Sequence, residues 1–274
     1  MIEYNKLLCG YVIICPLKII YRRKRYMKET IYTIPINEAY ETDCECPLCV
    51  LEKKIEDEAC DYALGAAMME PDYRIESNEK GYCRRHFEEL FKRPNKLSLA
   101  LVMDTYMQET ISRLGSLEKK LDSLEGTKNS LFRKSAELEG TVKELTDLLD
   151  KREKSCIVCD KINYTMDRYY DVLLDMWVGD EDFRRKFEAS KGVCLPHMKK
   201  LTDRAVKKLS EKNAKEFIML LYKKQQQELT RISEDVHRFT LKFDYRNKDM
   251  PWNGAEDAPL RSIEKSSGYI RYNE

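Results

Sequence analysis

The sequence predicts an all-α protein made of two duplicated helical halves joined by a coiled-coil-like helical segment. Three observations carry this. Glycine (10) and proline (8) are scarce in 274 residues, and charged residues reach 35% against 42% hydrophobic, a balance that suits long solvated helices rather than a turn-rich sheet. One cysteine–histidine pattern occurs twice, about 110 positions apart. A leucine heptad runs between the two copies. Lys+Arg (49) and Asp+Glu (48) leave a net charge of +1, which gives no electrostatic push toward nucleic acid.

In chain order, residues 1–26 differ from the rest. Cys9 to Tyr21 is mostly apolar, interrupted by Pro16 and Lys18 and followed by Arg22-Arg23-Lys24-Arg25. The stretch is short of the roughly 20 residues that span a bilayer, and its positive charge follows the apolar part, the reverse of a signal peptide. The expectation is a natural start at Met27, with residues 1–26 an extension, and a cytoplasmic protein without a membrane partner.

The first half is placed at 27–113. Cys46-Pro47-Leu48-Cys49 opens it, and Cys83-Arg84-Arg85-His86 follows thirty-four positions after Cys49. The second half, 154–245, repeats this. Cys156-Ile157-Val158-Cys159 is followed after thirty-five positions by Cys194-Leu195-Pro196-His197. Two of only three histidines thus fall at equivalent places. The copies also share Asp61 and Asp171, then Asp72-Tyr73-Arg74 and Asp182-Phe183-Arg184, then Lys80-Gly81 and Lys191-Gly192. Apolar residues at helical spacing follow each C-x-x-C: Leu51, Ile55, Ala59, Tyr62 and Ala63, and Ile162, Met166, Tyr169, Tyr170, Leu173 and Leu174. Gly81 and Gly192 stand two residues before a ligand, where the chain must reverse. Each C-x-x-H is followed by a short helix and a longer one, over 97 to about 114 and 214 to about 232.

The connector, 114–153, has a/d positions Leu114, Leu117, Leu121, Leu124, Lys128, Leu131, Ser135, Leu138, Val142, Leu145 and Leu149, nine of eleven apolar. A break is expected at Gly126-Thr127-Lys128-Asn129, so the segment either folds back on itself or pairs with another protomer. The tail, 246–274, carries Trp252 and turn formers and is expected to dock on the helices.

The spacing assigns metal chemistry. Thiolates three residues apart converge on one ion, and a second pair completes a tetrahedron. Cys46, Cys49, Cys83, His86, Cys156, Cys159, Cys194 and His197 are the ligands, two Cys₃His sets for two Zn²⁺ per chain. The alternative cofactor is an iron–sulfur cluster, which usually takes four cysteines. Covalent haem is excluded, because no histidine directly follows either C-x-x-C. Cys83 and Cys194 are expected at helix starts, where the exposed N–H groups favour a thiolate. Neighbouring cations (Lys80, Arg84, Arg85; Lys191, Lys199, Lys200) would offset the net −1 of each filled set. Spacing leaves open whether each half holds its own ion or the halves exchange ligands. Cys44 reads as a bystander, Cys60 as core and His237 as surface.

The segments Met27-Lys-Glu-Thr-Ile-Tyr-Thr-Ile-Pro-Ile-Asn-Glu-Ala-Tyr40, Cys46-Pro-Leu-Cys49-Val-Leu-Glu, Lys80-Gly-Tyr-Cys-Arg-Arg-His86 and Lys242-Phe-Asp-Tyr…Pro251-Trp252 resemble a bacterial domain family of unknown function. The resemblance runs from Met27 to the end and includes both cysteine–histidine sets. It implies a bacterial, cytoplasmic protein and no assigned activity. No phosphate-cradling glycine loop, H-E-x-x-H or Ser/His/Asp pattern is present, so no catalytic residue is nominated. The expected role is structural or protein-interacting, with another protein or a second copy as partner through the heptad segment. The alternatives are a redox or metal sensor and an enzyme of unknown reaction.

Overall fold

The computed structural model describes residues 31–125 and 131–271. The extension 1–26, with Cys9 and Cys15, and the expected break at 126–129 lie outside the described residues. Eleven α-helices and two short 3₁₀ turns, with no strand, make up the described residues.

The duplication is a repeat of four helices. α2 (Pro47–Ala63), α3 (Pro71–Lys80), α4 (Arg84–Lys92) and α5 (Lys96–Glu125) recur as α7 (Ile157–Gly179), α8 (Glu181–Ala189), α9 (Leu195–Lys208) and α10 (Glu211–Leu241). α1 (Thr33–Glu41) precedes the first set, α6 (Leu131–Lys154) lies between them, and α11 (Ala258–Ser267) follows.

Local chemistry sets the boundaries. Cys46 caps α2 in extended conformation and Pro47 takes the first helical position, where a missing N–H costs nothing. The side chains of Asp180 and Ser210 cap α8 and α10 by accepting from backbone N–H groups. α3 stops at Gly81, at φ 69° and ψ −156°, a conformation open only to glycine. Gly192 makes the equivalent turn at φ 76°. Both lie at the reversals expected from sequence.

The core forms where α2 lies against α7. Leu48, Leu51 and Ile55 from one helix and Val158, Ile162 and Leu173 from the other belong to one buried cluster, which includes Cys60. α1 covers it. Tyr40 meets the ring edge of Phe183 and stacks on Phe187, and Phe187 and Trp177 both pack on Phe217 of α10. Each half is tied internally by equivalent ion pairs. Asp61 meets Arg93 at 3.1 Å, and Asp171 meets Arg204 at 2.7 Å. The shared aspartates of the repeat thus hold α2 to the end of α4 and α7 to α9.

α5 runs unbroken past residue 114 and α6 returns antiparallel beside it. Arg152 lies over the Tyr106 ring at the base, and Lys120 meets Glu144 farther out. The chain therefore folds back, one of the two arrangements the heptad allows. The tail docks as expected. α11 packs on α10 and α9, and Trp252 packs on Phe239. No helix among the described residues is long and apolar enough to cross a membrane.

Candidate metal centres

All four ligand pairs stand at helix N-termini. Cys46, Cys83, Cys156 and Cys194 are the N-cap residues of α2, α4, α7 and α9, and Cys49, His86, Cys159 and His197 follow on the first turn. Three residues of helix bring the second donor onto the same side as the first. The free N–H groups and positive dipole end then face the thiols.

The helix starts meet in pairs, and the pairs cross the repeat. Cys46 and Cys49 join Cys194 and His197, while Cys83 and His86 join Cys156 and Cys159. Each C-x-x-C of one half meets the C-x-x-H of the other, so each candidate ligand set draws on both halves. In each group the four donor atoms lie within 4.8 Å of one another. In the first, His197 Nδ1 is 3.0 Å from Cys194 Sγ and 3.5 Å from both Cys46 Sγ and Cys49 Sγ. Cys49 and Cys194 are 3.6 Å apart. In the second, His86 Nδ1 is 3.1, 3.2 and 3.3 Å from Cys156, Cys83 and Cys159, and Cys83 is 3.8 Å from Cys159.

These distances fit a tetrahedral ion. Metal–sulfur bonds of about 2.3 Å and a metal–nitrogen bond of about 2.0–2.1 Å give edges of about 3.8 Å between sulfurs and about 3.5 Å from sulfur to nitrogen. Three thiolates and one imidazole are an ordinary zinc set, and all four positions are filled by protein. In each group one thiol is pulled toward the thiolate form. Hydrogen bonds from Cys46 and Cys49 pull Cys194 down to about 4, and that from Cys159, helped by His86, pulls Cys156 down to about 3. Their neighbours Cys49 and Cys159 are pushed up, because they donate those hydrogen bonds and are buried.

With Nδ1 facing the thiols, each imidazole turns Nε2 toward a carboxylate of α2. His86 Nε2 donates to Glu56 Oε1 at 2.9 Å, and both side chains are buried. Burial would raise the Glu56 carboxyl, but hydrogen bonds from His86 and Tyr269, with Arg85 and Arg271 beside it, hold it well below the usual carboxylate range. His197 Nε2 faces Glu52 Oε2 at a looser 3.5 Å. Burial pushes the Glu52 carboxyl up. A carboxylate behind a ligating imidazole fixes its tautomer and ring orientation.

The tail reaches both groups. Tyr269 and Arg271 close on Glu56. The buried Lys265 donates to the carbonyls of Glu45 and Lys191, one in each ligand loop of the first group. Burial pushes its ammonium down.

Cys44 is half-buried outside the four-donor group, its thiol pushed up to about 11 by burial. Cys60 is core and His237 is exposed. Several cations expected to offset the metal groups answer carboxylates instead: Lys80 pairs with Glu76 and Asp160, Arg84 with Glu88, Arg85 with Glu56, and Lys191 with Asp43. A cavity of about 580 Å³ opens beside Cys46 and Cys49, bordered by Lys53, Glu264 and Arg271.

No curated protein and no solved structure matches the chain. The profile of a family of unknown function, DUF6062, matches residues 27–273 and so takes in both four-donor groups, and the chain belongs to that family.

Proposed function

We propose that the protein is a zinc-stabilised helical scaffold in which two structural Cys₃His sites lock the two halves together and present the α5–α6 hairpin for protein interaction. The observation that supports this is the crossed pairing. Each group of four donors draws two from either half, with no position left for substrate or water. A metal in such a site does the work of a cross-link, and its binding free energy becomes folding free energy.

The test is elemental analysis and a visible spectrum on protein purified without oxygen, followed by chelation. About two zinc per chain, no colour, and loss of helical signal on zinc removal are expected. Iron with sulfide and a visible absorption band would replace the scaffold with an electron-transfer or sensing reading. Absence of any bound metal would sink both.

A further inference from the structure

The α5–α6 hairpin carries more apolar surface than its own seam can use. Val102 and Leu117 of α5 and Thr141 of α6 are buried, while Leu145 and Leu148 are half-buried. A second stripe remains uncovered. Met107, Ile111 and Leu114 follow one another on α5 at spacings of four and three, all exposed, with Ile111 at 68%. Leu138, Val142 and Leu149, at spacings of four and seven, are likewise exposed on α6. The heptad leucines therefore divide, some closing the hairpin and others lining this stripe.

Both stripes lie on one side. Lys120 and Glu144 bridge the two helices on one face, and α3 covers the base of that face through Arg74 and Asn78 on Thr105 and Glu79 on Lys151. At 3.6 residues per turn, the two exposed stripes fall on the opposite face, with α5 and α6 antiparallel. Side by side they form one exposed apolar face along the hairpin.

Among the described residues the charge beside it is acidic. Glu118 continues the α5 stripe, and Glu139 and Glu153 flank the α6 stripe. All three are exposed, and none forms a salt bridge among the described residues. Lys119, Lys120 and Lys143 fall on other faces by the same helical count, and Arg113 is tied to Glu109. A second copy of the hairpin would set these acids against their own kind. A cationic helix would answer them.

We infer that this face is a docking site for an amphipathic helix of another protein, apolar on one side and lined with lysine or arginine on its flanks. The inference deepens the scaffold reading and rests on its interaction role.

The test uses the full chain and two fluorescent model peptides of about 18 residues, long enough for a stable turn count. One is a Leu/Lys amphipathic helix, the other its Leu/Glu counterpart. The Leu/Lys peptide is expected to bind and the Leu/Glu peptide not. The double variant Ile111→Asp, Val142→Asp is expected to weaken binding at least about tenfold, as truncating a central apolar anchor does. The variant Glu118→Lys, Glu139→Lys is expected to reverse the preference between the peptides. Equal binding of both peptides, or unchanged binding by Ile111→Asp, Val142→Asp, overturns the inference. So does sedimentation as a dimer that this variant returns to one chain, since a second copy then fills the face. Metal content measured on the same samples separates the two readings. Zinc retained without peptide binding removes the docking face and leaves the metal scaffold standing.

Discussion

Glu52 and Glu56 stand one turn apart on α2, yet each carboxylate backs the imidazole of a different four-donor group, Glu52 behind His197 and Glu56 behind His86. The equivalent positions of α7 are Ile162 and Met166, so α2 alone supplies both supports. The two groups are therefore unequal despite the duplication. Around His86 the clamp is short, buried and reinforced by Tyr269 and Arg271. Around His197 it is longer and looser. Glu56→Gln is expected to weaken zinc at the His86 group by about 10–100-fold and leave the other group unchanged, while Glu52→Gln costs less. Stepwise zinc transfer to a competing chelator reads both.

Crossed ligation gives an unusual stoichiometry test. Cys49→Ser with His197→Ala removes two donors from one group and is expected to leave about one zinc per chain. Cys49→Ser with His86→Ala removes two donors from the same sequence half but damages both groups. Its expected content is well below one zinc. Equal metal content in the two double variants would contradict the exchange.

Gly81 and Gly192 occupy equivalent turns but differ in what surrounds them. A Cβ on Gly81 would stand 2.7 Å from Cε2 of Tyr106, whose ring is held under Arg152. On Gly192 the nearest atom is the flexible Lys224 side chain at 3.4 Å. Gly192→Ala is expected to cost about 1–2 kcal/mol through backbone strain alone, and Gly81→Ala about 1–3 kcal/mol more through overpacking. Urea unfolding of both variants, each loaded with metal, gives the comparison.

Asp171 offers a pH test away from the metal groups. The Arg204 guanidinium holds its carboxyl below the ordinary value of 3.8 through two hydrogen bonds of 2.7 Å. A folded-state value below the unfolded one means that the pair stabilises the fold above about pH 4, and that this contribution is lost as pH falls through the folded value. The pair is about one-third exposed, so solvent screening limits it to about 1 kcal/mol. Asp171→Asn is expected to be less stable than the parent at pH 7, with the gap narrowing as pH falls below about 4. A constant difference across that range would assign the loss to packing rather than charge.

Much of this arrangement is legible in the residues. The eight donors, their places at helix starts, the two glycine reversals and the core position of Cys60 all follow from spacing and periodicity. The crossed pairing does not, because either pairing of C-x-x-C with C-x-x-H satisfies the same tetrahedron. The choice is made by the packing of α2 on α7. Glu52 and Glu56 also escape notice, since helical carboxylates are usually solvated. One signal was available: they fall at spacings of three and four within the buried stripe from Cys49 to Cys60. The heptad reading recovers the hairpin but not the division of its leucines between a closed seam and an open face. That division depends on where α3 packs.

Crossing the ligands also nests them. The group built on Cys83, His86, Cys156 and Cys159 lies wholly inside the chain interval bounded by Cys46 and His197. Its cysteines Cys83 and Cys159 are 76 residues apart, against 145 for Cys49 and Cys194. The two closures are concentric rather than interlaced, so neither threads the other. The inner one pins the middle of the chain and shortens the free loop left for the outer one, lowering its closure entropy. The inner group's last donor, Cys159, precedes Cys194 and His197 in the chain, so the order of synthesis and the order of easiest closure coincide.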